Sequence, residues 1–282
     1  MIFLVAFSFA GCYEKFDPTT YAPEFIISGF TAADQIQPSS LIAYWPFDGN
    51  LNETVSGNAA NNSGTGFTNG LKGQALDLNV ANKSYITYDA PPSITGVQSF
   101  TVSFWVNPTF VDANGDDGID GILGLINLSK PDGFWGNLDW FVENNNPGDV
   151  HSNNEHAAIR VHVQGGTTDT WVEINNYKGL FGTWSNHTLT YDATTSEFQY
   201  YINGSTTATT TSSWGGAIAF TGSGPMVFGT VQFQTEDGGI GCCGNQSWAS
   251  YLTGSLDEVR IYNIALSAIE VSALVVLQGK GK

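Results

Sequence analysis

The chain has 282 residues, and its nine Lys and Arg stand against 26 Asp and Glu, a formal charge of −17. With no basic stripe to neutralise phosphates, nucleic acid is excluded as a partner, and so is electrostatic docking on anionic lipid. Abundant Gly, Thr, Asn and Ser with 13% aromatics leave little material for surface helices, so the length reads as one β domain whose acidic surface suits a neutral ligand or a cation.

Residues 2–10 form an apolar run too short to span a bilayer, with small residues ahead of Cys12. Phe9-Ala10-Gly11-Cys12 resembles the lipobox of bacterial lipoproteins, in which the cysteine is lipidated and becomes the mature N-terminus. It departs from that pattern in having no Lys or Arg ahead of the apolar run. The resemblance implies a signal segment over 1–12, a lipid on Cys12, and export to the cell envelope, at the outer membrane or cell surface, with the lipid as the sole membrane contact. The alternative is a buried apolar strand. Over 13–40, Pro18, Pro23 and Pro38 among unperiodic apolar residues read as a tether with at most one short ordered piece.

A domain over 41–278 then begins at "LIAYWPFDGN". Short β-type runs separated by turn signals predict strands at 41–47, 74–78, 85–88, 100–106, 122–127, 139–142, 158–163, 170–174, 185–191, 197–202, 226–229 and 255–262. In "TVSFWV" Val102, Phe104 and Val106 share a face, as do Phe198, Tyr200 and Ile202 in "FQYYING". Asn203-Gly204 predicts a tight hairpin, because that turn needs two residues tolerant of positive φ. Ser267-x-x-Glu270 is a capping box that opens a helix carrying Ile269, Val271, Ala273, Leu274 and Leu277 and stopped by Gly279. Without a βαβ rhythm the sheets must be antiparallel, so the predicted fold is all-β, a two-sheet antiparallel jelly-roll sandwich with a short C-terminal helix.

The segments "LIAYWPFDGNLNETVSGN", "GQALDLNVANKSYITYD", "FTVSFWVNP", "GTWSNHTLTYDATTSEFQYYING" and "GSLDEVRIYNIALSAIEVSALV" together resemble the bacterial laminin-G-like, concanavalin A-like jelly-roll family. The likeness runs from Leu41 to Leu277. It implies a lectin-like two-sheet fold, often sugar-binding and often with a structural calcium near the junction of first and last strands. The matching residues are Asp48, with Asn50 and Asn52 on the following loop, and Asp257, hard oxygens at a turn that can also lend carbonyls. The alternative is that both aspartates cap backbone. A second calcium candidate is local: "DANGDDGID" puts Asp112, Asn114, Asp116 and Asp120 at positions 1, 3, 5 and 9 of a calcium loop. It departs at Asp117, where glycine is expected, and at Leu123, where the closing acid should stand; a solvated acidic loop is the alternative.

Glucanases of this fold carry Glu-x-Asp-x-x-Glu on one strand; this chain has no such segment, Glu173 stands alone in "WVEIN", and no Gly-x-Ser-x-Gly elbow occurs. His151, His156 and His162 are spaced for neither a zinc helix nor a hairpin site, while Arg160 and His162 on one strand face would suit a polysaccharide lyase or be satisfied polar residues. Carbohydrate binding needs rings for sugar C–H faces and amides for hydroxyls. Trp45, Trp105 and Trp184 lie in strand-like blocks and are expected in the core. Trp135, Trp214 and Trp248 lie in Gly/Ser/Asn loops, where each either caps the sandwich or faces a ligand.

If Cys12 is lipidated, Cys242 and Cys243 are left in an oxidising compartment, and the favoured state is a disulfide between neighbours, the glycines on both sides accommodating the ring. Two reduced, packed thiols are the alternative. Asn245, Gln246 and Trp248 beside them would make a ligand edge. The functional expectation is a cell-envelope lipoprotein that binds a glycan or polysaccharide without cleaving it. A lyase or hydrolase on the same fold, or an adhesion domain for a protein partner, are the alternatives.

Overall fold

The computed structural model describes residues 25–144, 152–235 and 239–282, so the lipobox, Cys12 and His151 lie outside the described residues. Period-two alternation of apolar and polar side chains sets the architecture. The first half of the chain gives β1 (Leu41–Trp45), β2 (Ala60–Ser63), β3 (Gly66–Asn69), β4 (Gln74–Leu78), β5 (Tyr85–Tyr88), β6 (Phe100–Pro108), β7 (Ile122–Leu128) and β8 (Leu138–Val142). The second half gives β9 (His156–Gly165), β10 (Thr168–Lys178), β11 (Ser185–Asp192), β12 (Glu197–Ile202), β13 (Ser205–Thr211), β14 (Met226–Phe228), β15 (Ala249–Ser250) and β16 (Gly254–Tyr262).

These strands form two sheets. The first runs β13-β12-β11-β6-β16-β4-β3, with β1 also on β16; the second runs β10-β9-β8-β7-β14-β5-β2, with β15 on β7. Pairing is antiparallel throughout except for the two-residue β15, which lies parallel to β7. The jelly-roll sandwich expected from sequence is the fold found. Asn203 and Gly204 take φ of 50° and 77°, the paired positive values that a tight turn between β12 and β13 requires.

The core lies between the sheets. Val102, Phe104 and Val106 of β6 meet Trp140 of β8, whose ring stands edge-on to Phe104 at 4.8 Å, and Trp45 packs edge-on to Phe228 at 5.0 Å. His187 is buried in the same layer: Tyr200 OH lies 2.8 Å from Nδ1, Ser185 Oγ 2.9 Å from Nε2, and Trp140 Nε1–H donates to Tyr200 OH. Burial depresses the His187 pKa to about 3.

Helix α1 (Ala268–Gln278) covers the outer face of the first sheet. Ser267 Oγ accepts from Glu270 N–H and Glu270 Oε2 accepts from Ser267 N–H, so the capping box starts the helix where the sequence places it. Its Val271, Leu274 and Leu277 pack with Tyr201 and Tyr262 and with Ala33 and Ile36 of the N-terminal segment. Trp105 points to this outer side and donates to Gln278 Oε1 at 2.9 Å. Arg260 Nη2 donates to Asp34 Oδ1 at 2.7 Å, and Ala33 N–H to the Lys282 carbonyl at 3.3 Å. The packed body therefore starts ahead of Leu41, within the segment expected as tether.

Candidate functional site

The outer face of the second sheet carries a row of side chains that local sequence does not announce. In β8, β9 and β10 the inward positions are Leu138, Trp140, Val142, Ile159, Val161, Val163, Val172 and Ile174. The alternate positions face out, and strand register sets them side by side: Asn127 opposes Asp139, Asp139 opposes His162, and His162 opposes Trp171. Next to this row Phe141 opposes Arg160 and Arg160 opposes Glu173.

The loop between β7 and β8 folds down over these rows. The Trp135 ring stacks on Phe141 at 5.4 Å and 5°, stands perpendicular to Trp171 at 5.5 Å, and lies 5.9 Å from His162. Trp135 thus anchors the loop to the sheet and, being half-buried, also forms one side of a groove of about 340 Å³. The groove is lined by Gly133, Phe134, His162, Gln164, Thr167, Thr168 and Asp169 as well. Trp248 joins the same aromatic cluster at its exposed margin, 5.2 Å from Phe233 and 6.3 Å from Trp135.

Gln232 holds the loop in place. Its Oε1 accepts from Lys130 N–H at 2.7 Å, and its Nε2 lies within hydrogen-bond reach of the Lys130, Gly133 and Phe134 carbonyls. The cysteine loop docks on the same turn. Cys242 N–H donates to the Gly133 carbonyl at 3.4 Å, and a Cβ at Gly241 would lie 2.5 Å from that oxygen, so the approach needs glycine. Cys242 and Cys243 are joined by a disulfide, with φ of 83° at Cys243 between positive-φ glycines. Gln246 turns inward, donating to the Cys243 and Gly244 carbonyls, and Asn245 Nδ2 donates to the Thr235 carbonyl. These two amides close their own loop; Trp248 is the member of the stretch that joins the aromatic cluster.

His162 sits at the groove floor with a carboxylate on each nitrogen: Asp139 Oδ2 at 2.9 Å from Nδ1 and Asp169 Oδ2 at 3.2 Å from Nε2. Asp139 is fully buried, and burial raises its pKa against the opposing effects of His162, the Gly136 N–H and Asn127. Asp169 is half-exposed at the rim. Arg160 shares the strand face with His162, as the sequence suggested, but it is buried, 3.9 Å from Glu173, and aimed at the Ile159 and Ile174 carbonyls. Arg160 and His162 are thus both satisfied by neighbours.

Trp214 lies elsewhere. It packs on Tyr191 and Phe198, both at 5.8 Å, and lies so close under Gly165 that a Cβ there would be 2.3 Å from its ring. It closes one end of the sandwich beneath the β9–β10 turn. Trp45 and Trp105 are buried and Trp184 half-buried. His156 starts β9, its N–H bonded to Asn153 Oδ1.

The calcium candidates differ in what their oxygens do. Asp112 accepts from the N–H groups of Gly115, Asp116 and Asp117, Asn114 from Asp116, Asp116 from Gly118, and Asp120 from Ala113 and Asn114. That loop folds its oxygens onto its own backbone. At the other candidate, Asp48 Oδ1 accepts from Gln74 N–H and Asp257 Oδ2 from Leu71 and Lys72 N–H, bracing the β3–β4 turn from two sides. Asn50 bonds the Asp48 carbonyl and Asn52 N–H. Asp257 Oδ1 is buried with no hydrogen-bond partner, and burial raises its pKa to about 7. A hard cation would satisfy that oxygen, so the Asp48–Asp257 turn fits calcium better than the acidic loop does. Among the described residues no three His, Cys, Asp or Glu converge as a metal shell.

A family profile described as the concanavalin A-like lectin/glucanases superfamily (Laminin_G_3) matches residues 80–272. The chain belongs to this superfamily. The match takes in every groove residue of the concanavalin A-like domain and stops short of the Asp48 turn. No curated protein matches the chain. Among solved structures, the botulinum neurotoxin serotype G binding domain is 18% identical with a TM-score of 0.59, covering 84% of this chain and 50% of that one. The binding domain of botulinum neurotoxin DC in complex with SialylT is 12% identical at a TM-score of 0.58, covering 85% and 52%. The same domain in complex with rat synaptotagmin II is 12% identical at 0.57, covering 86% and 52%. The chain thus spans about half the length of these structures, and at such identities they share its fold alone.

Proposed function

We propose that this concanavalin A-like domain binds carbohydrate, without cleaving it, in the groove between Trp135 and the β9–β10 turn. The supporting observation is the placement of a half-exposed indole beside His162, Gln164 and Asp169, apolar surface for a sugar face next to acceptors for its hydroxyls. Binding rather than cleavage is supported by Asp139, which is buried beyond reach of a ligand, and by Asp169, which occupies the outer nitrogen of His162. A structural neighbour captured with SialylT is in keeping with a glycan, and one captured with rat synaptotagmin II makes a protein the alternative partner.

A glycan array combined with analysis of released products tests the reading. Retained ligand with no shortened product is expected, and Trp135→Ala should lower affinity by at least tenfold, about 1.4 kcal/mol or more, while the far-UV spectrum is unchanged. Shortened product, or wild-type affinity in the variant, would overturn it. The proposal includes export and lipidation at Cys12, in keeping with the disulfide of the other two cysteines; incorporation of a labelled fatty acid should vanish in Cys12→Ala. It includes calcium at Asp48 and Asp257, so added calcium should raise the melting temperature of the wild type and not of Asp257→Asn.

A further inference from the structure

The charges around the groove select among saccharides. His162 lies between two carboxylates, and each nitrogen–oxygen contact needs one proton. An imidazolium between two carboxylates meets that need, and so does a neutral imidazole between a protonated Asp139 and an ionised Asp169. Both arrangements leave the row with one net negative charge. Asp169 is the carboxyl of the row that reaches the rim, its side chain 55% exposed.

Among the described residues no Lys or Arg lines the groove to offset that charge. Arg160 in the neighbouring row is buried against Glu173 and two backbone carbonyls. Lys130 is not among the groove's lining residues; its methylenes lie 3.5–3.6 Å from where a Gly133 Cβ would stand. The walls are also rich in acceptors. An Asp169 carboxylate has acceptor capacity only, and Gln164 spends one amide N–H on the Gly166 carbonyl, leaving its other N–H and its carbonyl oxygen. The chain as a whole carries −17.

We infer that the groove takes neutral, hydroxyl-rich saccharides and rejects anionic ones, whether uronate, sulfated or sialylated, with Asp169 as the residue that sets this specificity. The inference rests on the glycan-binding reading of the same groove. A neutral sugar brings hydroxyl donors to the Asp169 carboxylate and the Gln164 carbonyl. An anionic sugar brings a like charge to a rim that has no cation to receive it.

Titration calorimetry at low ionic strength with neutral β-glucan and mannan oligosaccharides, and with alginate and hyaluronan oligosaccharides, tests this. The neutral set should bind about tenfold or more tightly than the anionic set, a gap of the size that one like charge near a protein surface produces. High salt should narrow the gap, Asp169→Asn should narrow it at low salt, Asp169→Lys should reverse it, and Lys130→Ala should leave it unchanged. Anionic sugars binding as well as neutral ones, or an unchanged gap in folded Asp169→Asn, overturn the inference and leave the glycan-binding reading standing. Failure of every saccharide to bind removes both.

Discussion

At the residue scale, two buried groups tie stability to pH with opposite signs. His187 is neutral in the folded chain, its pKa depressed to about 3 by burial, against about 6.5 when exposed. Between those values the unfolded chain binds a proton that the folded chain refuses. The contribution of His187 is therefore complete above about pH 6.5 and is lost as pH falls toward 3, at about 1.4 kcal/mol per pH unit. Asp257 runs the other way: burial raises its pKa to about 7, from about 3.9 in an unfolded chain. Its contribution is complete below about pH 3.9 and is lost as pH rises through 7, so the two slopes oppose each other from about pH 4 to 6.5. Removing one uncovers the other. In calcium-free buffer with a chelator, Asp257→Asn keeps an oxygen for the Leu71 and Lys72 N–H groups and should raise the urea midpoint at pH 8 while steepening its fall on acidification. His187→Gln should leave the Asp257 slope, so that the midpoint rises as pH falls from about 7 to 4, at the cost of stability at neutral pH, because it weakens the contacts to Tyr200 and Ser185. Identical midpoint profiles from pH 4.5 to 8 in all three proteins would sink this account.

At the element scale, the β9–β10 hairpin links the core to the groove. Its outer side chains supply His162, Gln164, Asp169 and Trp171, and its turn rests on Trp214. Gly165→Ala would place a methyl 2.3 Å from the Trp214 ring, so the turn or the indole must move. The expected cost is about 1–3 kcal/mol of stability, read in a denaturant titration, together with weaker ligand affinity because Thr167, Thr168 and Asp169 move with the turn. Full stability in that variant would show the contact to be slack. The hairpin also marks what sequence can carry. Strands with one apolar face, such as "TVSFWV" and "FQYYING", were legible from alternation, as was α1 from its capping box. β2 and β13 were not, because "ANNS" and "STTATTT" lie at sheet edges and have no apolar face to alternate. Trp171 was legible in principle, as a large ring on the outward phase of an alternating strand. Asp139, His162 and Asp169 come from three strands, and register across the sheet, which no local pattern encodes, brings them to one imidazole. Gln232 is a still longer-range case, since its amide meets carbonyls about a hundred positions earlier.

At the scale of the whole molecule, the two sheets divide the work. The outer face of the first carries α1, the C-terminus and the N-terminal segment, while the outer face of the second carries the groove. A lipid at Cys12, as proposed, would join the body through the N-terminal segment that packs on the first face. The same division predicts that the N-terminal segment matters for stability and not for ligand. Ala33 and Ile36 are buried against α1, Tyr201 and Tyr262, and Asp34 meets the buried Arg260. Burying an isoleucine side chain is worth about 1.5–3 kcal/mol, and the Asp34 contact adds little because that carboxylate is mostly exposed. A chain beginning at Leu41 should therefore melt roughly 3–12 °C below one beginning at Phe25, on the scale of about 2–4 °C per kcal/mol for a domain of this size. Its saccharide affinity, measured well below both melting temperatures, should equal that of the longer chain, because no groove residue touches the removed segment. Equal melting temperatures would mean that the segment rides on the helix without bracing it. Affinity lost in step with stability would mean that the sheets do not act independently, since a change on the outer face of one would then have crossed the core to the outer face of the other.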